Sequence, residues 1–424
     1  MRASKLLVFA ALVASPLPAQ TIAVTGGRVL PVSGPVIENG TVLIRDGKIA
    51  AVGTNVVIPA DARRIDATGR WVTPGFVNAA TALGVQEVGA VSSTVETQPV
   101  AQREQRGVSA SYRVWEGFNP ASVLIPSAVK GGITSVVVLP SGGLVAGQGA
   151  VMRLAPGNDL AGMVMRAPAA MAARLTNSQL GTRAEQIARL RELLDDARAY
   201  ARSRAAFERG ETRSFVATRA DLEALQPVLT GTLPLLLAVD QASDIQAALL
   251  LARDYGIRLI IGGGADAWMV ADDIARARVP VLTGAMNNIP GFGSLGQRQE
   301  TPALLRRAGV AVAIIGNAGG GDEEAFNVRN VRFEAGNAVA YGMSHDDALR
   351  AVTLTPAEIF GVADRVGSLQ PGRDADVVVW SGDPFEFATQ SVHVFVRGRE
   401  FTGPSRQDLL EERYRSLPPD YRAP

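Results

Sequence analysis

Few side chains in this sequence can do chemistry. There are 2 histidines, His345 and His393, and no cysteines. Without thiols there is no disulfide framework, no thiolate zinc site and no cysteine nucleophile. The polar residues that stand at the ends of apolar runs are Gln86, Glu87, Ser141, Gln148, Asp240, Gln241, Asn287, Asn288 and Asn317. Glu87 with Asp240 is a carboxylate pair that could divide acid and base roles, although nothing in their spacing demands it. Ser141 lies in the glycine-rich stretch 140–149, which has neither the lysine of a P-loop nor the spacing of a dinucleotide fingerprint. Its glycines read as tight backbone turns in a loop. A Ser-His-acid triad would need His345 or His393. His345 follows a helix N-cap and reads as a surface residue, and His393 alternates with Val392 and Val394 in a strand. The 3 lysines are Lys5 in the leader, Lys48 in a hairpin turn and Lys130 just before a strand.

These groups need a frame to hold them. The 424 residues are 47% hydrophobic and 20% charged, the balance of a folded protein of one large domain or two. A formal net charge of +1 supplies no basic field, so a nucleic-acid partner is not expected. The chain opens with cationic Met1 to Lys5, continues in the apolar run from Leu6 to Ala14, and breaks from Ser15 to Gln20. That is the pattern of a secretory signal cut after Ala19. Residues 1–19 are therefore expected to be a signal peptide, and the mature chain periplasmic or secreted. The apolar run is too short for a membrane span, which needs roughly 20 residues, and no transmembrane segment is expected elsewhere.

After the leader the pattern is strand and turn. Thr41 to Ile44, the turn Arg45 to Lys48, and Ile49 to Val52 read as a hairpin. Strands return at Asp376–Trp380 and Ser391–Arg397. Residues 20–71 and 366–403 are thus predicted to pair as one small β unit, followed by a tail, 404–424, in which Gln407–Tyr414 reads as a helix. Between them, residues 72–365 alternate strands with helices, as βα units do. The strands are Ile133–Leu139, Leu235–Val239, Arg258–Ile261, Val279–Leu282 and Val310–Ile315. The helix from Ala184 to Phe207 sets Ile187, Leu190, Leu194, Ala197 and Ala201 on one face, and Thr182 with Glu185 starts it as a capping box. Ser344 with Asp347 starts another. The fold class is α/β. A TIM (β/α)8 barrel fits the repeats, with its site at the carboxyl ends of the strands; periodicity leaves an open doubly wound sheet as the alternative.

Several stretches also resemble a known family. They are Trp71–Ala79, Asn327–Asn330, Glu334–Gly342, Thr353–Gly361 and Gly367–Asp376. Together they look like the imidazolonepropionase-like branch of the amidohydrolase superfamily. The resemblance implies a TIM barrel flanked by a composite β-sandwich made from both chain ends. It implies hydrolysis of C–N bonds in small amides, cyclic amides or dipeptides, with zinc or another divalent metal as cofactor. Much of the shared wording is structural: Pro356 suits the first turn of a helix, and Asp374 and Asp376 read as turn residues at the start of a strand.

Carried over position by position, the family's metal site is missing its donors. The His-x-His pair of the first strand falls on Ala80 and Ala82. The bridging lysine or glutamate falls around Met171 and Ala172. The histidines of the fifth and sixth strands fall at Ala238 and Gly263, and the carboxylate of the eighth at Asn317. None of these binds a metal, and an amide cannot take a proton at neutral pH. The expected metal and cofactor are accordingly none. Residues left to line a pocket are Glu87, Ser141, Gln148, Asp240, Gln241, Asn287 and Asn317.

Two functions remain. One is an exported family member with a degenerate metal site, a non-catalytic subunit that binds a small molecule or a partner, either a metal-competent paralogue or a second copy of itself. The alternative is an active hydrolase of non-peptide C–N bonds that uses an unconventional site.

Overall fold

Two eight-stranded sheets organise the chain. The structure, a computed structural model, describes residues 21–99, 107–155, 159–176, 181–286, 290–291, 293–316 and 323–416. The signal segment and Asn287, Asn288 and Asn317 lie outside the described residues. In chain order the strands are β1 (Ile22–Val29), β2 (Ile37–Arg45), β3 (Lys48–Gly53), β4 (Arg63–Asp66) and β5 (Trp71–Pro74). Then come β6 (Phe76–Thr81), β7 (Ile133–Val138), β8 (Val145–Arg153), β9 (Val164–Arg174), β10 (Leu235–Val239), β11 (Leu259–Gly263), β12 (Val281–Thr283) and β13 (Val312–Ile314). Strands β14 (Val377–Trp380), β15 (Ser391–Val396) and β16 (Arg399–Glu400) close the series.

The first sheet is built from both chain ends. Its order is β16-β15-β14-β5-β1-β2-β3, with β4 added beside β1. The join is β14 against β5, antiparallel from Val377 opposite Pro74 to Trp380 opposite Trp71. One apolar cluster gathers Ile22, Val42, Ile44, Ile49, Val72, Val377 and Phe395, so the sheet wraps over its own core as a sandwich. The barrel begins at Phe76, because Trp71–Pro74 still belongs to the sandwich. Gly75 makes the changeover: a Cβ there would stand 2.2 Å from Thr134 Cγ2.

The second sheet is the barrel, ordered β13-β12-β11-β10-β9-β8-β7-β6. Neighbours from β9 to β13 run parallel, as does β6 with β7. Strand β8 runs antiparallel to both β7 and β9. It takes up Val145–Gly149, half of the stretch read as a glycine loop. The glycines serve close packing instead: a Cβ on Gly149 would lie 2.6 Å from Leu139 Cδ2 and 2.7 Å from Val138 O. At the seam, a methyl on Gly316 after β13 would stand 3.3 Å from Asn78 Nδ2 on β6, so the sheet curls almost to closure. Ala79, Val137, Val151, Ala170, Leu236, Ile260, Leu282 and Ala313 fill the interior, and Phe360, Val362 and Val366 pack beneath them. Arg166, near the start of β9, donates to Gly361 O at 3.1 Å, which fixes that plug at the end of the barrel opposite the mouth.

Helices cover the outside. Thr182 caps the helix Arg183–Glu208 by accepting from Glu185 N, and Leu190, Leu193, Leu194, Ala197 and Tyr200 are buried on it. Ala201, expected on that stripe, is exposed, two residues before a break in the helix at Ser203. Ser344 caps His345–Ala351 in the same way.

Charges at the barrel–sandwich boundary overturn two readings. Arg153, at the end of β8, is fully buried and pairs with Asp374 and, at 3.6 Å, with Asp376. Lys48 at 2.6 Å and Arg365 at 3.3 Å also reach Asp374. The two aspartates are thus ion-pair partners inside the structure rather than simple turn residues. Burial opposes ionisation of Asp374, but the Lys48 hydrogen bond and the Arg153 charge outweigh it and hold its carboxyl below the usual range. Burial pushes Asp376 the other way, above it. His345 is not a free surface residue either. It is part-buried, 3.1 Å from Asp383 Oδ2, with its ring 4.8 Å from Phe385 and 5.6 Å from Trp71. An anion and two aromatic rings at the sandwich edge give it a better setting than water alone.

Candidate functional site at the barrel mouth

Strand alternation defines the mouth. On β10, Leu236 belongs to the interior cluster, whereas Leu235, Leu237 and Val239 pack outward against the helices. Alternation therefore sends Ala238 inward, one layer nearer the mouth. Register carries that layer round the barrel. Ala238 pairs with Arg174 on β9 and with Gly262 on β11. On β7 and β13 the same step leads to Leu139 and Ile315, which pack on the interior cluster. The layer presents two aliphatic side chains, a methyl, a bare glycine and one guanidinium.

Arg174 was not singled out from the sequence. The residue level with Ala238 on β9 is Arg174, not Met171 or Ala172. Met171 packs in the outer core, and Ala172 pairs with Leu236 one layer lower. The available signal was an arginine ending the apolar run Ala169–Ala173, where a strand meets the mouth. Arg174 is exposed. Gly263 also differs from its expected role. It takes φ +81°, and a Cβ there would lie 2.6 Å from Asp240 Oδ1, so the inward position on β11 is Gly262.

An acidic shelf borders Arg174. Asp240 follows β10 and turns its Oδ1 onto Ala265 N at 3.4 Å. Asp266 Oδ2 accepts from Ala242 N at 3.2 Å, and Asp244 pairs with Arg183 at 3.0 Å. Burial pushes the Asp240 carboxyl above its ordinary value and the Asp266 charge adds to that, while hydrogen bonding from Ala265 N and the charge of Arg174 pull it back. Burial likewise raises Asp244, against the pull of Arg183. A fourth acid acts from below. Glu334 is fully buried and accepts from Ala285 N at 2.6 Å and Met286 N at 2.5 Å, pinning the loop after β12.

The other candidates are scattered. Glu87 lies in the excursion after β6, where Oε1 accepts from Asn119 Nδ2 at 3.3 Å. The charges acting on Asp240 are Arg174 and Asp266, and no contact joins Glu87 to it among the described residues. Gln148 pairs in register with outward-facing Met171 and donates to Ala110 O at 3.0 Å, so it faces away from the mouth. Ser141 donates its backbone N–H to Thr97 O at 2.8 Å, and Gln241 is the N-cap of the helix Ala242–Tyr255. Asn287 and Asn317 are outside the described residues. Ala80 is part-exposed beyond a bulge in β6, and Ala82 is buried.

Comparison with known proteins agrees with this frame. A model described as the amidohydrolase family matches residues 298–401. The chain is 24% identical over 397 residues to amidohydrolase tasK of Hapsidospora irregularis, covering 85% of this chain but 39% of that protein. It is 26% identical over 377 residues to an imidazolonepropionase of Acidiphilium cryptum, covering 83% of this chain and 89% of that one. A crystal structure of an amidohydrolase from Thermotoga maritima superposes with a TM-score of 0.80 at 28% identity, covering 90% of this chain and 99% of that chain. These likenesses support the amidohydrolase superfamily for this chain.

Members of that superfamily typically use a divalent metal. The residues present do not fit one. Ala80, Ala82 and Ala238 offer methyls, Gly262 and Gly263 offer nothing, and the Arg174 guanidinium has no lone pair to give and repels a cation. Among the described residues, no three His, Asp or Glu side chains stand together as a metal group.

Proposed function

We propose that this chain is a ligand-binding member of the amidohydrolase superfamily that does not hydrolyse C–N bonds by the family's metal route. The observation that carries this reading is the register of Ala238 with Arg174 and Gly262. Where family chemistry needs imidazoles, this layer supplies a methyl, a glycine and a fixed positive charge. Without a bound metal, water keeps its high pKa and no strong nucleophile forms. What the layer suits instead is an anionic group on a small molecule, held by Arg174, with any donor or cationic part turned to Asp240. The test has two arms. Imidazolone, cyclic amide and dipeptide substrates should turn over at background rate with zinc or manganese supplied. Small carboxylates should raise the melting temperature, and Arg174→Met should remove that shift. Metal-dependent turnover would reject the reading.

The raised Asp240 carboxyl favours one competing reading, an unconventional hydrolase with Asp240 as base. Turnover abolished by Asp240→Asn would support it.

Export and partnership complete the proposal. Residues 1–19 support export, and a mature form beginning near Gln20 should be found outside the cytoplasm. Exposed Leu409, Leu410 and Tyr414 on the helix Arg406–Tyr414 support association with a paralogue or a second copy. Light scattering that returns only monomer, with and without extract, would count against association.

A further inference from the structure

A cavity lies between the barrel and the sandwich. Its volume is ≈ 830 Å³, and Arg329, Arg332, Phe333, Phe387 and Gln390 help to line it. Arg329 belongs to the turn Val328–Asn330, and Arg332 is the second residue of the helix Val331–Ala340. That i, i+3 spacing sets the two guanidiniums on one side. Each is anchored on one side only. Arg329 Nη1 donates to Ser127 Oγ at 2.8 Å. Arg332 Nη1 donates to Thr389 O at 2.8 Å and Pro384 O at 3.3 Å. The Arg332 guanidinium lies 4.4 Å from the centroid of Phe333 and 5.6 Å from that of Trp380.

Neither arginine has a carboxylate partner among the described residues. The acid on this cavity wall, Asp408, is taken by Lys130. Two like charges held together and part-buried oppose one another. Consistent with that, burial and the Arg329 charge pull Arg332 below the usual arginine range. Beside the pair stands an aromatic stack. Phe333 and Phe387 stack at 4.2 Å and 9°, and Phe387 is 81% exposed.

We propose that this cavity is a binding site for a small aromatic anion, with its carboxylate or phosphate between Arg329 and Arg332 and its ring against the open face of Phe387. The anion supplies a counter-charge that no carboxylate among the described residues gives, and the Nε–H and Nη2–H donors give bidentate contacts. The ring covers apolar surface otherwise left in water. Its two arginines belong to the segment 329–332 and not to the mouth layer of Arg174, Ala238 and Gly262.

Isothermal titration of the full chain with phenyl phosphate, benzoate and inorganic phosphate tests this. Phenyl phosphate or benzoate should bind with Kd of about 1 mM or tighter, and inorganic phosphate about tenfold more weakly. Which of the two organic anions binds better identifies the head group. Arg329→Met should weaken binding about tenfold or more, and Arg332→Lys, which keeps the charge but loses the fork, should also weaken it. Arg174→Met protein, in which the mouth's own anion contact is removed, should keep the Arg329-dependent binding, and Arg209→Met, whose exposed guanidinium pairs with Glu211, should leave the affinity within about threefold of wild type. Thermal melts confirm that the variants are folded. No binding of either organic anion up to about 10 mM, or undiminished binding in folded Arg329→Met protein, would show that the arginines are structural staples only. Loss of binding in Arg174→Met would place the anion at the mouth and overturn the second site.

Discussion

Arg174 and Ala238 are register partners on neighbouring barrel strands, so the guanidinium of one leaves the sheet on the face where the other presents a methyl. Gly262 continues the row on the next strand. The barrel is intact below this row, and among the described residues the row of Arg174, Ala238 and Gly262 carries no imidazole and no carboxylate.

If that register is right, donors can be put back at defined places. The double variant Ala238→His/Gly262→His sets two imidazoles on adjacent strands, about 4.8 Å apart along the sheet. It should bind zinc at least about tenfold more tightly than wild type. Ala238→His/Gly263→His should gain nothing, because a side chain at Gly263 meets Asp240 at 2.6 Å and must adopt φ +81°. Equal gains in zinc titrations would mean the inward face of β11 is misassigned.

Arg153 is the buried tie between barrel and sandwich. Replacing it by Met leaves Asp374 and Asp376 in the interior without their nearest buried cation. Breaking a buried pair this way costs about 3–5 kcal/mol, which urea unfolding would register. A loss near zero would contradict the role given to this cluster.

Asp240 sets a pH dependence with a definite sign. Its folded value lies above the ordinary aspartate value of 3.8, with burial as the main cause. Between the two values the folded chain binds more protons, so this group's contribution to stability falls as pH rises through that window. Asp240→Asn keeps an oxygen to accept from Ala265 N and removes the titration. Wild type should lose stability relative to the variant as pH rises from 3.8. Unfolding midpoints measured at a series of pH values with the opposite slope would reverse the assignment.

Gly75 marks the passage from sandwich to barrel. An alanine Cβ there would sit 2.2 Å from both Thr134 Cγ2 and Oγ1. Overpacking of this kind costs about 1–3 kcal/mol. Thr134→Ala in the same chain should recover part of that loss in a thermal melt, and full additivity of the two changes would argue against direct contact.

Local signals were legible in the sequence where they rest on neighbouring residues. The caps at Thr182 and Ser344 form the expected bonds to Glu185 N and Asp347 N. The β10 and β11 strands fall where their apolar runs lie, and Asp376–Trp380 supplies the strand that joins both chain ends. What stayed hidden depends on partners distant in the chain. Arg153 meets Asp374 across a separation of 221 residues, and no pattern near either announces it. Strand β8 was missed because its glycines signal a loop, whereas here they admit Leu139 and Tyr112 against the backbone. Arg174 was missed because the layer it joins is set by pairing with Ala238, which spacing within β9 alone does not reveal.

The most direct measurement is the metal content of protein purified from cells without chelators. The register of Arg174, Ala238 and Gly262 predicts well under about 0.1 equivalent of zinc, manganese, iron or nickel per chain, because catalytic sites of this kind need about three protein ligands. About one equivalent of any of these metals, retained through dialysis and matched by metal-dependent hydrolysis of an imidazolone, cyclic amide or dipeptide substrate, would contradict the account.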